Sequence, residues 1–306
     1  MKVLGLTCGR KLSNTEILVK EALMGAEEMG LEVEIVRLQD LNIQPCTGCN
    51  ACVIDLFEKG GSGDCVIKGD DLSWIDDRLM DCDGLIVGSP LYEKSPTGQL
   101  KCLNDRMGPS HDLAFRMIAQ KIREAKGITT GKGPDQRSFK PRAAGLIAVG
   151  GSDWVELGLP LMQLFAMPMQ FNVVDQQVFN WNALPAIVTL MEDKLARARE
   201  IGRNVARALM SANPAEAAYV GPEGMCPSCH CNLIEIVDAS MSKAGCATCG
   251  IKGTLVSEGD KVSFVVTEKA MANSHMKLSG KFQHGDDLKN VSLKPLPNRS
   301  EERRVG

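Results

Sequence analysis

The chain begins with MKVLGLTCGRKLSNTE (residues 1–16), where a short apolar run meets a polar loop and then a helical pattern. Residues 3–8 predict a buried strand because they are almost entirely apolar. From Asn14 onward, apolar side chains recur at helical spacing, which predicts a helix. Backbone N–H groups and the helix dipole at such a junction attract anions. The sequence therefore predicts an anion site between the first strand and the first helix.

The side chains of this loop narrow the choice of anion. The candidate contacts are Cys8, Arg10, Ser13, Asn14 and Thr15. The loop has neither a P-loop lysine pattern nor G-x-G-x-x-G, so a triphosphate or a dinucleotide is not the expected ligand. The single phosphate of FMN fits better, and an ordinary capped turn is the alternative. Cys8 is also a candidate for an activated thiol at the helix N-terminus.

Apolar strands and amphipathic helices alternate as far as residue 212. Further strands are predicted at residues 31–38, 84–89, 143–149 and 171–175, and a charged helix at residues 191–212 closes the domain. This alternation predicts an α/β fold with a parallel sheet and helices on both faces. Ligands of such sheets bind beyond the carboxyl ends of the strands, where the strand order switches.

Two more loops at those strand ends carry candidate cofactor contacts. They contribute Ser89, Pro90, Leu91 and Tyr92 after the third strand, and Gly150 and Gly151 after the fourth. Tyr92 can stack near a planar ring, with loop packing as the alternative. Residues 127–141 predict a mobile loop and a possible lid. For Trp154 and Trp181, core or dimer-interface packing is favoured over a substrate pocket.

A group of closely spaced cysteines lies in the loop at residues 45–65. Cys46, Cys49, Cys52 and Cys65 form the pattern C-x2-C-x2-C-x12-C. Three thiolates at this spacing fit three corners of a [4Fe–4S] cluster, and a glycine-rich loop can deliver the fourth. The alternative is four ordinary thiols of a reduced protein.

A second cysteine pattern follows a linker at residues 213–225. Cys226, Cys229, Cys246 and Cys249 form two C-x2-C knuckles, which predict one tetrahedral metal within residues 226–272. Zinc in a β-rich ribbon is expected, with rubredoxin-type iron as the rival. Such a small module lacks the core to fold alone, so the metal supplies stability. Residues 273–306 predict a polar, partly disordered tail, with His275 and His284 at its surface.

The composition excludes several classes of function. A net charge of −3 over 306 residues does not suggest binding to nucleic acid or to an acidic membrane. No apolar run approaches 18 residues, and no signal-peptide pattern opens the chain. Twelve cysteines without a secretion signal favour metal binding in a reducing cytoplasm. No Ser-His-Asp, H-E-x-x-H or paired-carboxylate pattern is visible, so a cofactor is expected to supply the chemistry.

The residues of the first domain resemble a known family. Cys8-Gly9-Arg10 with Asn14-Thr15, then Gly88-Ser89-Pro90-Leu91-Tyr92, and Pro96-Thr97-Gly98-Gln99-Leu100-Lys101 with Asp105-Arg106 are similar to the flavodoxin-like NAD(P)H-dependent FMN reductase superfamily. The cysteines of the 45–65 loop, with Asp70-Asp71, resemble its iron–sulfur flavoprotein branch. Family phosphate loops usually read Gly-Ser-Pro-Arg, which Thr7-Cys8-Gly9-Arg10 replaces here.

The resemblance covers roughly residues 1–210 and implies a function. It implies FMN, a five-stranded sheet in the order 2-1-3-4-5, and a homodimer or homotetramer in which one subunit's cluster lies near another's flavin. The expected activity moves electrons from NAD(P)H or a ferredoxin-like protein donor, through the cluster, to a quinone or another small acceptor. A non-enzymatic electron carrier and a binding module with an inert first domain are the alternatives.

Overall fold

The computed structural model describes residues 1–238 and 243–292. The main sheet contains the parallel strands β1 (Lys2–Thr7), β2 (Glu32–Arg37), β3 (Gly84–Tyr92), β5 (Arg142–Val149) and β6 (Phe171–Phe179), and the short antiparallel strand β4 (Ser95–Pro96). The parallel strands follow the order β2-β1-β3-β5-β6. The predicted flavodoxin-like order is therefore confirmed, with β5 and β6 as the fourth and fifth parallel strands.

Helices cover both faces of this sheet. One face carries α1 (Asn14–Glu28) and α7 (Glu192–Leu209), and the other carries α3 (Leu72–Asp81), α4 (Gly98–His111) and α6 (Gly158–Ala166). Two further helices, α2 (Ala51–Lys59) and α5 (Leu113–Ala125), pack against each other. Strands β1 and β5 are buried almost throughout, as apolar runs in a parallel sheet should be. Among the described residues, no helix is long and apolar enough to cross a membrane.

The loop predicted as a possible lid lies at the wrong edge of the sheet for that role. Residues 127–141 lead into the start of β5, whereas the candidate cofactor loops follow the strand ends. The segment is also tied down, because the Arg123 guanidinium donates to the carbonyls of Thr130 and Gly131. Arg137 pairs with Asp77 at 2.9 Å. The interpretation as a lid over the cofactor edge is therefore wrong.

A separate antiparallel sheet forms the C-terminal module, as the sequence predicts. Its strands are β7 (Ile234–Ile236), β8 (Ala244–Cys246), β9 (Lys252–Glu258) and β10 (Lys261–Val265), in the order β10-β9-β8-β7. Two buried glutamines dock the module onto α6 and β6. The side-chain amides of Gln163 and Gln176 donate to the Cys229 carbonyl at 3.1 and 3.2 Å.

The first part of the predicted polar tail is helical. After the short helix α8 (Glu268–Ala272), α9 runs from Leu278 to Ser292, so the expected disorder does not extend over these residues. Phe282 and Leu288 pack on the apolar cluster of α2 and α5, which explains the order. His275 is half-buried and His284 is exposed, with ring centroids 5.2 Å apart. The rest of the predicted tail, residues 293–306, lies outside the described residues.

The buried amine of Lys281 predicts a pH dependence of stability. Its Nζ donates to the carbonyls of Met167 and Pro168, and burial lowers its pKa from 10.5 to about 8, although Asp112 opposes the shift. Between those pH values the unfolded chain binds the proton and the folded chain does not, so stability rises with pH. Between pH 7.5 and 10.5 the free energy of unfolding should rise by about 3 kcal/mol in the wild type. Lys281→Met should abolish this rise, and denaturant unfolding at the two pH values measures it. Lys277→Met, at an exposed site, is the matched control; equal slopes in wild type and Lys281→Met would contradict the assignment.

Candidate functional site

The loop between β1 and α1 is closed by a helix cap. Ser13 precedes the helix, and its Oγ accepts a hydrogen bond from the Glu16 N–H at 3.2 Å. The Glu16 carboxylate accepts one from the Leu12 N–H at 2.7 Å. Burial alone would raise the pKa of Glu16, but hydrogen bonds from Arg37 and Lys20 lower it to about 2. The loop is therefore held in one shape around a charged carboxylate.

The donors of this loop suit a phosphate, with one revision of the sequence prediction. The N–H groups of Asn14 and Thr15 stand in the first helical turn, where no intrahelical acceptor exists. Arg10 is exposed beside them. The Asn14 side chain is engaged elsewhere: Nδ2 donates to the carbonyls of Asn182 and Leu184 at 2.9 and 2.8 Å, and Oδ1 accepts from the Val188 N–H at 3.2 Å. Of the groups of Asn14, therefore, the backbone N–H and not the side chain can donate to a phosphate.

Cys8 is not an activated thiol. Its side chain is fully buried at the end of β1, next to Ser89 and Thr97. Burial raises the pKa of this thiol to about 12, and hydrogen bonds with Thr97 and Ser89 offset only part of that shift. The helix N-terminus nearby does not overcome the burial, so the interpretation of Cys8 as a reactive thiol is wrong.

The loop after the third parallel strand is a hairpin, which the sequence does not indicate. β3 continues to Tyr92 and pairs with β4, with Leu91 opposite Pro96. Glu93 and Lys94 form the turn with positive φ values of 49° and 69°. Hairpin turns with two such residues normally contain Asn-Gly or Asp-Gly, so this sequence carries no turn signal. The hairpin leaves the Tyr92 side chain 60% exposed at the carboxyl edge of the sheet.

The glycines after β5 connect two loops of this edge. The Gly150 N–H donates to the Phe179 carbonyl at 2.8 Å, and the Gly150 carbonyl accepts from the Asn182 N–H at 3.0 Å. Gly151 is exposed beside Ala183. The strands β1, β3, β5 and β6 therefore all end in loops of one edge. The loop after β5 and the start of α1 are each hydrogen-bonded to the segment after β6.

Two tryptophans are exposed at this edge. Of the two favoured interpretations, core packing is therefore wrong, whereas a place in a dimer interface stays a prediction. Trp154 is 63% exposed and Trp181 is 62% exposed. Lys94 Nζ lies 5.1 Å from the centre of the Trp154 ring. Trp181 has a φ of 59°, which is rare for a bulky side chain and occurs at functional sites. The apolar side chains of Phe165, Met169 and Phe179, by contrast, are buried.

At this edge the side chains of Tyr92, Trp154 and Trp181 are 60–63% exposed in the single chain. Cavities of about 240 and 230 Å³ lie elsewhere, at the seam with the C-terminal module and beside Cys65. A ligand at the carboxyl edge would therefore meet the exposed rings of Tyr92, Trp154 and Trp181 as surfaces, not as walls of a closed cavity.

Gly9 provides a test of the phosphate loop. A Cβ on Gly9 would collide with Ser13 Oγ and come within 3.0 Å of Thr15 Cβ. We expect Gly9→Ala to raise the Kd for FMN about 5- to 150-fold, because overpacking costs about 1–3 kcal/mol and would displace the loop. Flavin fluorescence titration measures this. Gly108→Ala, where the nearest atom is 3.9 Å away, is the control, and an unchanged Kd in Gly9→Ala would exclude this loop.

Four buried cysteines converge in the C-terminal module. The Sγ atoms of Cys226, Cys229, Cys246 and Cys249 all lie within 4.8 Å of one another. The separation is 3.5 Å between Cys226 and Cys249 and 3.4 Å between Cys229 and Cys246. A tetrahedral ion with ~2.3 Å metal–sulfur bonds needs sulfurs about 3.8 Å apart. The donor set therefore fits one tetrahedral metal ion.

The cysteines of the 45–65 loop are arranged differently. Cys46 and Cys49 are exposed, whereas Cys52 and Cys65 are half-buried. Over residues 1–238 and 243–292, only the C-terminal cysteines gather three or more ligand atoms within 4.8 Å. The thiols of the 45–65 loop are therefore not gathered closely enough to hold one tetrahedral ion.

N–H groups already face the thiols of this loop. The Gly48 N–H donates to Cys46 Sγ at 3.4 Å, and Arg106 Nε–H donates to Cys65 Sγ at 3.3 Å. The Ala51 N–H lowers the pKa of Cys49, and burial raises that of Cys52 against the Val53 N–H. Helix α2, which the sequence analysis missed, begins at Ala51, so the Ala51 and Val53 N–H groups lie in its first turn. N–H···S bonds of this kind surround iron–sulfur clusters. The side chains of the 45–65 loop are therefore chemically suited to hold such a cluster.

Comparison with known proteins defines the class. Residues 1–184 match the family described as NADPH-dependent FMN reductase, and the chain belongs to this family of flavoprotein oxidoreductases. It is 33% identical over 298 residues to the flavone synthase cfoJ of Aspergillus candidus, covering 94% of this chain and 88% of that protein. An iron–sulfur flavoprotein of Methanocaldococcus jannaschii is 40% identical over 110 residues, or 36% of this chain and 53% of that protein.

A solved structure supports the same assignment over the full chain. A flavone reductase superposes with a TM-score of 0.82 at 34% identity, covering 99% of this chain and 93% of that one. The predicted membership in the FMN reductase superfamily and the predicted oxidoreductase class are thus confirmed. The similarity to cfoJ and to this structure extends through the C-terminal module, whereas the archaeal relative matches about a third of the chain.

Proposed function

We propose that this protein reduces a small planar acceptor of the flavone or quinone class with electrons from NAD(P)H. The observation that carries the proposal is the open carboxyl edge with its exposed rings, Tyr92, Trp154 and Trp181. Aromatic side chains at this position offer stacking surfaces to a flat ring system. Near-full-length similarity to two flavone-named proteins favours an aryl enone as the acceptor.

The residues of this chain would hold the cofactor and the acceptor in place. The N–H groups of Asn14 and Thr15, with Arg10, would bind the FMN phosphate. The hairpin residues Ser89–Tyr92 and Gly150-Gly151 would border the ring. Bound FMN would supply the redox chemistry, the net transfer of a hydride from NAD(P)H to the acceptor, and one proton from solvent would complete the reduction.

We further propose a role for each metal site. Cys46, Cys49, Cys52 and Cys65 would hold a [4Fe–4S] cluster that accepts single electrons from a ferredoxin-like donor. Cys226, Cys229, Cys246 and Cys249 would hold a structural zinc, with rubredoxin-type iron as the second candidate. A homodimer or homotetramer would cover the open edge and bring one subunit's cluster near another's flavin.

Anaerobic turnover with the full-length protein tests this function. The FMN-loaded protein is mixed with NADH or NADPH and either a flavone or a simple quinone, and nicotinamide oxidation is followed by absorbance. Flavone-dependent oxidation supports the aryl enone, and oxidation with the quinone alone assigns the other acceptor class. Trp181→Ala should raise the KM for the acceptor several-fold while leaving FMN content unchanged. Reduction by a ferredoxin without any acceptor turnover would show an electron carrier and refute the enzyme.

A further inference from the structure

One buried arginine connects the cysteine loop to the main domain. The Arg106 side chain lies on α4 and is completely buried. Its Nε–H donates to Cys65 Sγ at 3.3 Å, and Nη1 donates to the Gln44 carbonyl at 2.7 Å. The same guanidinium reaches the Ile67 carbonyl at 3.4 Å. It therefore contacts the chain on both sides of the cysteines and one of the thiols itself.

The charge of this arginine is balanced by one carboxylate. Arg106 Nη1 lies 2.6 Å from Asp70 Oδ2, and the Asp70 side chain is only 2% exposed. Burial alone would raise the pKa of Asp70, but the hydrogen bond from Arg106 and the N–H groups of Gln44 and Leu72 lower it. The pair thus remains charged, and water does not screen it as it would at the surface.

We propose that Arg106 positions Cys65 as a cluster ligand and, together with Asp70, sets the reduction potential of the cluster. The inference rests on the proposed [4Fe–4S] site and assigns a role to two residues outside the cysteine pattern. Reduction adds one negative charge to the cluster, and an N–H donor to a ligand sulfur stabilises that charge. The buried carboxylate of Asp70, which is paired with the guanidinium, destabilises the added negative charge.

The two members of the pair therefore have opposite expected effects. Arg106→Met removes a donor and a positive charge, so the reduced cluster is disfavoured and the potential falls. Arg106→Lys keeps the charge but lacks the Nε–H, so its potential should lie between those of wild type and Arg106→Met. Asp70→Asn keeps the shape and removes a negative charge, so the potential rises. A purely structural pair would instead show loss of cluster in both variants without shifts of opposite sign.

The test is a mediated dithionite titration of the full-length, anaerobically purified protein, with the EPR signal of the reduced cluster as readout. We expect Arg106→Met to lower the equilibrium constant for one-electron reduction about tenfold, which is ~59 mV. Asp70→Asn should shift it by a similar factor in the other direction. Arg142→Met is the matched control, because Arg142 is equally buried but donates to the backbone carbonyls of Leu79, Met80 and Arg137.

Each result decides between support and rejection. Shifts of opposite sign with an unmoved potential in Arg142→Met support the inference. Unchanged potentials, or shifts of the same sign, in both Arg106→Met and Asp70→Asn overturn it while the cluster stands. If Arg106→Met cannot retain a cluster, Arg106→Lys and Asp70→Asn decide on the same criterion. Wild-type protein without iron and sulfide overturns the cluster proposal and this inference together.

Discussion

Replacing Cys246 by serine is expected to release the metal from the C-terminal module and unfold that module. Its Sγ lies 3.4 Å from that of Cys229, inside the group of four buried thiols. Apart from cysteines, the buried apolar core formed by the described residues of the module consists of Ala244, Ile251 and Phe264. A core this small cannot replace a metal whose apparent binding free energy is about 10–16 kcal/mol in small zinc modules.

Metal analysis and limited proteolysis measure this effect. The Cys246→Ser protein should contain less than a tenth of the wild-type metal and be cleaved within residues 226–266, while FMN content stays unchanged. Cys231→Ser is the control, because Cys231 is buried nearby but lies outside the group of four. Full metal content in Cys246→Ser would refute the site. The absorption spectrum also identifies the metal, since zinc is colourless and thiolate-bound iron is red.

Replacing Cys49 by alanine is expected to abolish the iron–sulfur cluster and leave the flavin bound. Cys49 is exposed, so the substitution removes no core packing, and any loss reports on ligation. Wild-type protein prepared without oxygen should contain about four iron and four sulfide per chain, and the variant almost none. The brown absorption and the one-electron reduction by dithionite should disappear, whereas FMN remains because its proposed contacts come from the loops after β1, β3 and β5.

The control for Cys49→Ala is Cys102→Ala, a half-buried cysteine on α4 outside the proposed ligand set. It should retain iron and sulfide. Wild-type protein that binds flavin but neither iron nor sulfide would show that the cysteines of the 45–65 loop are ordinary thiols. The protein would then be a flavin-dependent reductase without an iron–sulfur centre.

The features predicted correctly are those that short stretches of sequence determine. Residues 3–8 and 143–149 are apolar runs that only a central parallel strand buries, and both strands lie where expected. Two C-x2-C knuckles bring four thiols together because each knuckle is a local turn and only one loop must close. The strand order followed from family resemblance, since local pattern alone does not choose between orders.

The features that were missed depend on contacts between distant residues. The Asn14 side chain donates to carbonyls more than 160 residues away in the chain. No local sequence pattern indicates these hydrogen bonds. Cys8 looked reactive because it precedes a helix, but it is fully buried next to Ser89 and Thr97, which follow another strand. Helix α9 looked like a polar tail because, of its described side chains, Phe282 and Leu288 alone are assigned to the apolar cluster. Trp154 and Trp181 are exposed, although large apolar side chains are usually buried.

The engagement of the Asn14 side chain has a thermodynamic consequence. Its three hydrogen bonds join the first turn of α1 to the segment that carries Trp181. If that turn binds the phosphate, occupancy by FMN and the order of the acceptor face are coupled. Coupling of this kind is reciprocal, so an acceptor that binds more tightly to the FMN-loaded protein must raise the affinity for FMN by the same factor. The protein would then retain its cofactor best while acceptor is abundant, and cofactor-free chains would accumulate when it is scarce.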